Sequence, residues 1–177
     1  MFIRLLSIAL LIISFQSLAQ QSSLHPKLEP FRPYLDKHWQ GNLTQPGADK
    51  TVTDRAMWSR ALNGQAIKTV HSINDGQYGG ESFIFWDEKQ QSLAYYYFTT
   101  AGFYTHGTMT FDEKTSEIIA LETVENNKNG ITQVKSYSRV MPDGTLKTKS
   151  SYLQNGNWVE GHSATYNEVA QQQIIFQ

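Results

Sequence analysis

The 177-residue sequence predicts an all-β protein: a ten-stranded antiparallel up-and-down barrel preceded by a short N-terminal helix. Three observations carry this expectation. Nine turn signals recur about a dozen residues apart: Pro46-Gly47, Asn63-Gly64, Asp75-Gly76, Asp87-Glu88, Ala101-Gly102, Asp112-Glu113, Asn129-Gly130, Asp143-Gly144 and Asn155-Gly156. The segments between them are rich in Tyr, Phe, Trp, Thr, Val and Ile, which suit a pleated surface. Beyond Trp39 no apolar helical period is sustained.

The elements follow in chain order. Met1 to Ala19 carries one positive charge (Arg4), an apolar run over Leu5–Phe15, and small residues at Ser17 and Ala19. This is the pattern of a secretory leader cleaved after Ala19. The run is shorter than the roughly 20 residues that span a bilayer, so no stable membrane anchor is expected after cleavage. Residues 20–38 form an N-terminal segment. In it, three prolines (Pro26, Pro30, Pro33) and the 3–4 spacing of Leu28, Phe31, Tyr34 and Leu35 suggest a short helix over about Leu28–Lys37. Proline is tolerated there because the first N–H groups of a helix have no partner. Residues 39–167 form the barrel, and 168–177 a C-terminal tail. Asn-Gly and Asp-Gly favour two-residue hairpins, since both central residues of a type I′ turn need positive φ. Ten long strands joined this way close best on themselves, because an open sheet would leave two edges unpaired.

Composition narrows the function. With 40% hydrophobic and 12% aromatic residues, the chain buries too much to be a disordered tail. The absence of cysteine excludes disulfide scaffolds, iron–sulfur clusters and thiol nucleophiles. Fifteen basic against sixteen acidic residues give no basic face for nucleic acid. The five histidines (His25, His38, His71, His106, His162) include no HExxH pair, so zinc hydrolysis has no motif. No GxSxG elbow is present either. Leader and composition together suit a periplasmic or secreted protein.

Alternation assigns faces to the strands. Trp158, Glu160, His162, Ala164 and Tyr166 share one face of the last strand, and its two large aromatics make it the expected interior. Asp54, Trp58, Arg60 and Leu62 share a face of the second strand, and Tyr137, Arg139 and Met141 a face of the eighth. Both faces of the fourth and fifth strands are apolar: Phe83 and Phe85 against Ile84 and Trp86, Tyr95 and Tyr97 against Tyr96 and Phe98. An outer apolar strip of this kind could serve a homodimer. A barrel of this size is wide enough for a cavity. The expected ligand site is walled by Trp39, Trp58, Tyr95, Tyr97, Trp158 and Tyr166, with Arg60, Arg139 and His162 as polar anchors. A cavity enzyme would use His162 with Glu160 or Arg139.

These residues, in this order, resemble a known group. An apolar helix ending in Phe31 and Tyr34-Leu35 leads to Trp39-Gln40-Gly41. Leu62-Asn63-Gly64, Phe85-Trp86-Asp87, Phe103 to Gly107, Arg139, and Gly156-Asn157-Trp158 through Tyr166 follow. The pattern resembles the bacterial, often secreted, calycin-like (lipocalin-like) family of unknown function whose members begin with a Trp-x-Gly strand. It covers about Leu28–Tyr166. His38 stands where many such barrels have glycine, and the tail from Asn167 has no counterpart. The resemblance implies a ten-stranded barrel around a cavity. Related barrels bind fatty acids, retinoids or haem, so it implies a small apolar or amphipathic ligand. Haem would need one axial histidine, and the late, inward His162 is the candidate.

Overall fold

A computed structural model describes residues 23–47, 51–125 and 127–177. The leader expected over residues 1–19 lies outside them. Ten antiparallel strands close into one barrel: β1 (Lys37–Thr44), β2 (Val52–Ala61), β3 (Ala66–Ile73), β4 (Tyr78–Asp87), β5 (Ser92–Thr99), β6 (Tyr104–Asp112), β7 (Glu117–Thr123), β8 (Ile131–Val140), β9 (Leu146–Gln154) and β10 (Asn157–Val169). Each strand pairs with its sequence neighbours, and β1 pairs with β10 to close the ring. Among the described residues no strand of the barrel has an unpaired edge.

All nine turn signals fall between strands or at a strand end. Their geometry differs from the two-residue hairpins expected, however. Only Asn155-Gly156 joins two strands directly. Between β2 and β3 three consecutive residues, Leu62, Asn63 and Gly64, take positive φ (49°, 54° and 82°), and Asn74, Asp75 and Gly76 repeat the arrangement between β3 and β4. Successive left-handed residues curl the chain back with a wider loop. Asn and Asp tolerate that conformation because their side chains bond locally to the backbone.

The N-terminal helix is a 3₁₀ helix over Pro26–Tyr34. Its three prolines hold φ at values this helix accepts and cost it few donors. His25 caps it, its Nδ1 accepting from the Lys27 amide at 3.2 Å. The helix buries Leu28, Phe31 and Tyr34 and plugs one end of the barrel. Phe31 stacks on Trp58 with ring centroids 6.1 Å apart, Tyr34 packs on the same indole at 5.1 Å, and Trp39 Nε1 donates to the Tyr34 carbonyl at 3.2 Å. Tyr34 in turn donates its hydroxyl to the Ser138 carbonyl, and burial pushes the phenol pKa up to about 12. Ile67, Ile84, Leu93, Ile118 and Leu146 complete this apolar floor.

The tail after β10 runs along the outer wall. Gln172 donates to the Trp39 carbonyl, Ser72 Oγ to the Ile175 carbonyl at 2.8 Å, and the Gln177 amide to the Gly76 carbonyl. The doubled apolar character of β4 and β5 also has its explanation. Ile84, Tyr95 and Tyr97 face inward, while Phe85, Tyr96 and Phe98 stack along the outside with centroids 6.4 Å apart.

Candidate functional site

The barrel encloses a cavity of about 610 Å³. Toward the helix its lining is apolar: Trp58, Ile84, Met109, Ile118 and Leu146. Away from the helix it is crowded with hydroxyls, two imidazoles and two carboxylates: Asp54, His71, Tyr78, Tyr97, Glu122, Tyr152, His162 and Tyr166.

These polar groups satisfy one another in three hydrogen-bonded groups. The Asp54 carboxylate is buried, accepts from the Tyr166 hydroxyl at 2.7 Å and faces His71 Nδ1 at 3.0 Å. A carboxylate only accepts, so Nδ1 carries the proton. The other ring nitrogen, Nε2, lies 2.7 Å from the Tyr97 hydroxyl, which reaches Tyr78 at 3.4 Å. A second group forms across β9 and β10. His162 Nδ1 lies 2.7 Å from the Tyr152 hydroxyl and 3.1 Å from Ser150 Oγ, and Ser150 Oγ donates to the His162 carbonyl. The third group is the pair Tyr95–Glu122, 3.5 Å apart. Burial raises the pKa values of Tyr78, Tyr95, Tyr97, Tyr166 and Glu122, and lowers that of His162, because a low-dielectric interior disfavours each charged form. The phenols therefore stay protonated at neutral pH and act as donors.

Four glycines shape this half of the cavity. A Cβ placed on Gly41 would fall 2.8 Å from the Tyr166 ring, on Gly80 2.6 Å from Tyr97, on Gly107 2.9 Å from Tyr95, and on Gly161 2.9 Å from Tyr152. In each case a tyrosine of the adjoining strand lies flat over a backbone that has no side chain. Each ring is thereby held against the wall rather than across the lumen, which keeps the interior open and carries the hydroxyls to the polar cluster.

The sequence-expected site residues divide into three groups. Trp58, Tyr95, Tyr97, His162 and Tyr166 line the cavity. Trp39 and Arg60 belong to the helix end instead. Trp39 is fully buried in the floor beneath the cavity, and Arg60 reaches Asp36 at 3.6 Å. Arg139 and Trp158 face outward, correcting the expectation of inward side chains. For Trp158 the cause is a bulge. Up to Glu160, β10 pairs in one register (Val159 with Tyr152), and from Ser163 it pairs in another (Ala164 with Thr148). One extra residue reverses the alternation. His162, Ala164 and Tyr166 thus point in, while Trp158 (49% exposed) and Glu160 point out. On β8 the inward set is Val134, Ser136 and Ser138, so Arg139 lies on the outside, where its Nη1 donates to the Thr115 carbonyl. His162 is consequently brought together with neither Glu160 nor Arg139.

His71, Tyr78, Glu122 and Tyr152 escaped the sequence reading. Asp54 was placed on the inward face of β2 without a role. His71, Glu122 and Tyr152 each lie beside an inward glycine of the adjoining strand, Gly80, Gly107 and Gly161, a signal legible only once the register is known.

Haem can be tested on the same residues. His71 has both ring nitrogens engaged, by Asp54 and Tyr97, so it has none to offer a metal. His162 has Nδ1 engaged and Nε2 without a hydrogen bond among the described residues, which fits a single axial ligand. No group of three His, Asp or Glu side chains is placed to hold a bare metal ion among the described residues.

Fold and cavity together define a closed ten-stranded antiparallel barrel with a chambered interior. No protein-family model and no curated protein matches the sequence. Among solved structures the chain is similar to the crystal structure of Rv2717c from M. tuberculosis. The match has 11% identity and a TM-score of 0.60, and covers 84% of this chain and 100% of that one. At that identity the likeness establishes the fold alone.

Proposed function

We propose that this protein is an exported, calycin-like binding protein that holds a small apolar or amphipathic molecule inside its barrel. The observation that carries this reading is the interior chamber of about 610 Å³, with an apolar floor under a polar cluster. An apolar body resting on Trp58, Ile84 and Met109 leaves water, while a polar end meets the oriented hydroxyls. Nile red, a neutral dye that brightens in apolar surroundings, tests the reading. The wild-type protein should bind it, and Ala120→Trp, which fills the cavity from β7, should abolish binding with the fold retained by circular dichroism. Undiminished binding by that variant would move the site to the outer aromatic strip of β4–β6. Export is checked separately by a mature N-terminus at Gln20 in a periplasmic fraction.

A second reading rests on the free Nε2 of His162. There a haem iron could be ligated, the haem supplying gas-binding or redox chemistry and the chain supplying the axial nitrogen, oriented by Tyr152 and Ser150. Haem titration should then give a Soret band that His162→Ala shifts or removes. An identical spectrum in the variant sinks this reading.

A further inference from the structure

We infer that the interior selects its ligand by charge, taking a protonated or quaternary amine on an apolar body and rejecting a carboxylate. The inference rests on the binding reading above and names the ligand class for that same cavity.

Two carboxylates face the chamber, Asp54 and Glu122, and among the described lining residues none is Lys or Arg. Arg60, which shares Asp54's face of β2, is held at the helix end beside Asp36. The two imidazoles offer an anion little. His71 Nδ1 is committed to Asp54 and Nε2 to Tyr97, and His162, half-buried among Tyr152 and Ser150, favours its neutral form. An anionic head group would therefore lose its hydration beside two like charges with no cation to replace it, which is the least favourable arrangement for a buried ion.

A cation meets the opposite conditions. Asp54 already accepts from two donors, Tyr166 and His71. Glu122 faces the Tyr95 hydroxyl at 3.5 Å and has the Thr105 hydroxyl nearby beyond close hydrogen-bond distance, and so retains acceptor capacity. Around it stand aromatic faces. Gly107 pairs with both Tyr95 and Glu122 across its two strands, which puts the carboxylate and the flattened ring on either side of one bare backbone position. Tyr97, pressed over Gly80, and Tyr78 continue the aromatic surface. A carboxylate flanked by exposed ring faces suits an organic ammonium, which gains from the ring quadrupoles and from the charge together. Decyltrimethylammonium, decanol and decanoate have straight ten-carbon chains, the carboxyl carbon of decanoate included, and differ chiefly in the head.

Displacement of Nile red by these three probes from the full mature protein at neutral pH is the test. Decyltrimethylammonium should bind at least about tenfold more tightly than decanoate, roughly 1.4 kcal/mol, with decanol between them. In Glu122→Gln, shown to be folded by its thermal melt, the cation-to-anion ratio should fall to within about threefold. Decanoate binding as tightly as the cation, or a ratio that Glu122→Gln leaves unchanged, overturns charge selection while leaving the binding reading standing. Should the dye bind but none of the three probes displace it, charge selection falls alone; should the dye itself fail to bind, both readings fall together.

Discussion

The two halves of the barrel interior are built on opposite principles. At the helix end large apolar side chains fill most inward positions, and the 3₁₀ helix adds Leu28, Phe31 and Tyr34 as a plug. At the other end four inward positions are glycine, and the tyrosines beside them are folded against the wall. The first half is a core in the ordinary sense, close-packed and dry. The second gives up packing to keep a chamber, and its remaining polar groups must satisfy one another through Asp54, His71, Tyr97 and Tyr166. Stability thus belongs mainly to the floor, and the proposed binding to the chamber above it.

Substitutions should separate the two halves. The largest effect is expected at Trp39, fully buried and bonded to the Tyr34 carbonyl. Trp39→Ala should cost about 3–5 kcal/mol in urea unfolding, and a loss below about 1 kcal/mol would show that the floor is not the core. Asp54→Ala should come next. It strands the His71 Nδ1–H and the Tyr166 hydroxyl, at a cost of about 1–3 kcal/mol by the same measurement. An unchanged midpoint would mean that the polar chain contributes nothing to folding. Gly107→Val should cost a comparable 1–3 kcal/mol, roughly, through overpacking, but it should also displace the Tyr95 ring into the chamber and weaken Nile red binding. Full dye binding by this variant would break the proposed role of the glycine–tyrosine pairs.

The pH dependence of Glu122 gives a smaller, signed effect. Burial raises its pKa from the ordinary 4.5, so the folded state holds this proton more tightly than the unfolded chain. Its favourable contribution is present below the unfolded pKa and is lost as pH rises through the folded one. Glu122→Gln removes the titration. The variant should therefore gain stability relative to wild type as pH rises from 4 to 8, read as a growing difference in melting temperature. A difference that shrinks over that range would contradict the assignment. Least of all should change at Trp158, which stands on the outer wall. Trp158→Ala should move stability by less than about 0.5 kcal/mol and leave Nile red binding intact.

Much of this architecture was legible from the chain, and the boundary of legibility is physical. The nine turns were readable because the chemistry of a turn is local. Asn63-Gly64 and Asp75-Gly76 advertise positive φ whatever surrounds them. The apolar helix with its prolines was readable for the same reason. Facing was readable only where alternation runs unbroken and the two faces differ, as at Asp54 and Trp58, and not on β4 and β5, where Tyr95 and Tyr97 back onto Tyr96 and Phe98. On β10 a single extra residue near Gly161 turned Trp158 and Glu160 outward while keeping His162 and Tyr166 in. A bulge of this kind has no composition of its own. Arg139 was misplaced for a different reason. Tyr137 suggested an interior, but on the outer wall it lies under Lys149 and Lys135, whose ammonium groups sit 4.8 and 5.6 Å from its ring.

By itself, then, the sequence determined the number of strands, their order, the closure of the barrel and the short N-terminal helix, because each follows from short-range backbone preferences and from the need to leave no edge unpaired. Only the tertiary structure decided the contents of the chamber. Asp54 meets His71 because β2 and β3 pair Ala56 with His71, and each tyrosine finds its glycine across a strand boundary. Such contacts join residues whose neighbourhood is set by register, and register is a property of the closed barrel rather than of any segment in it.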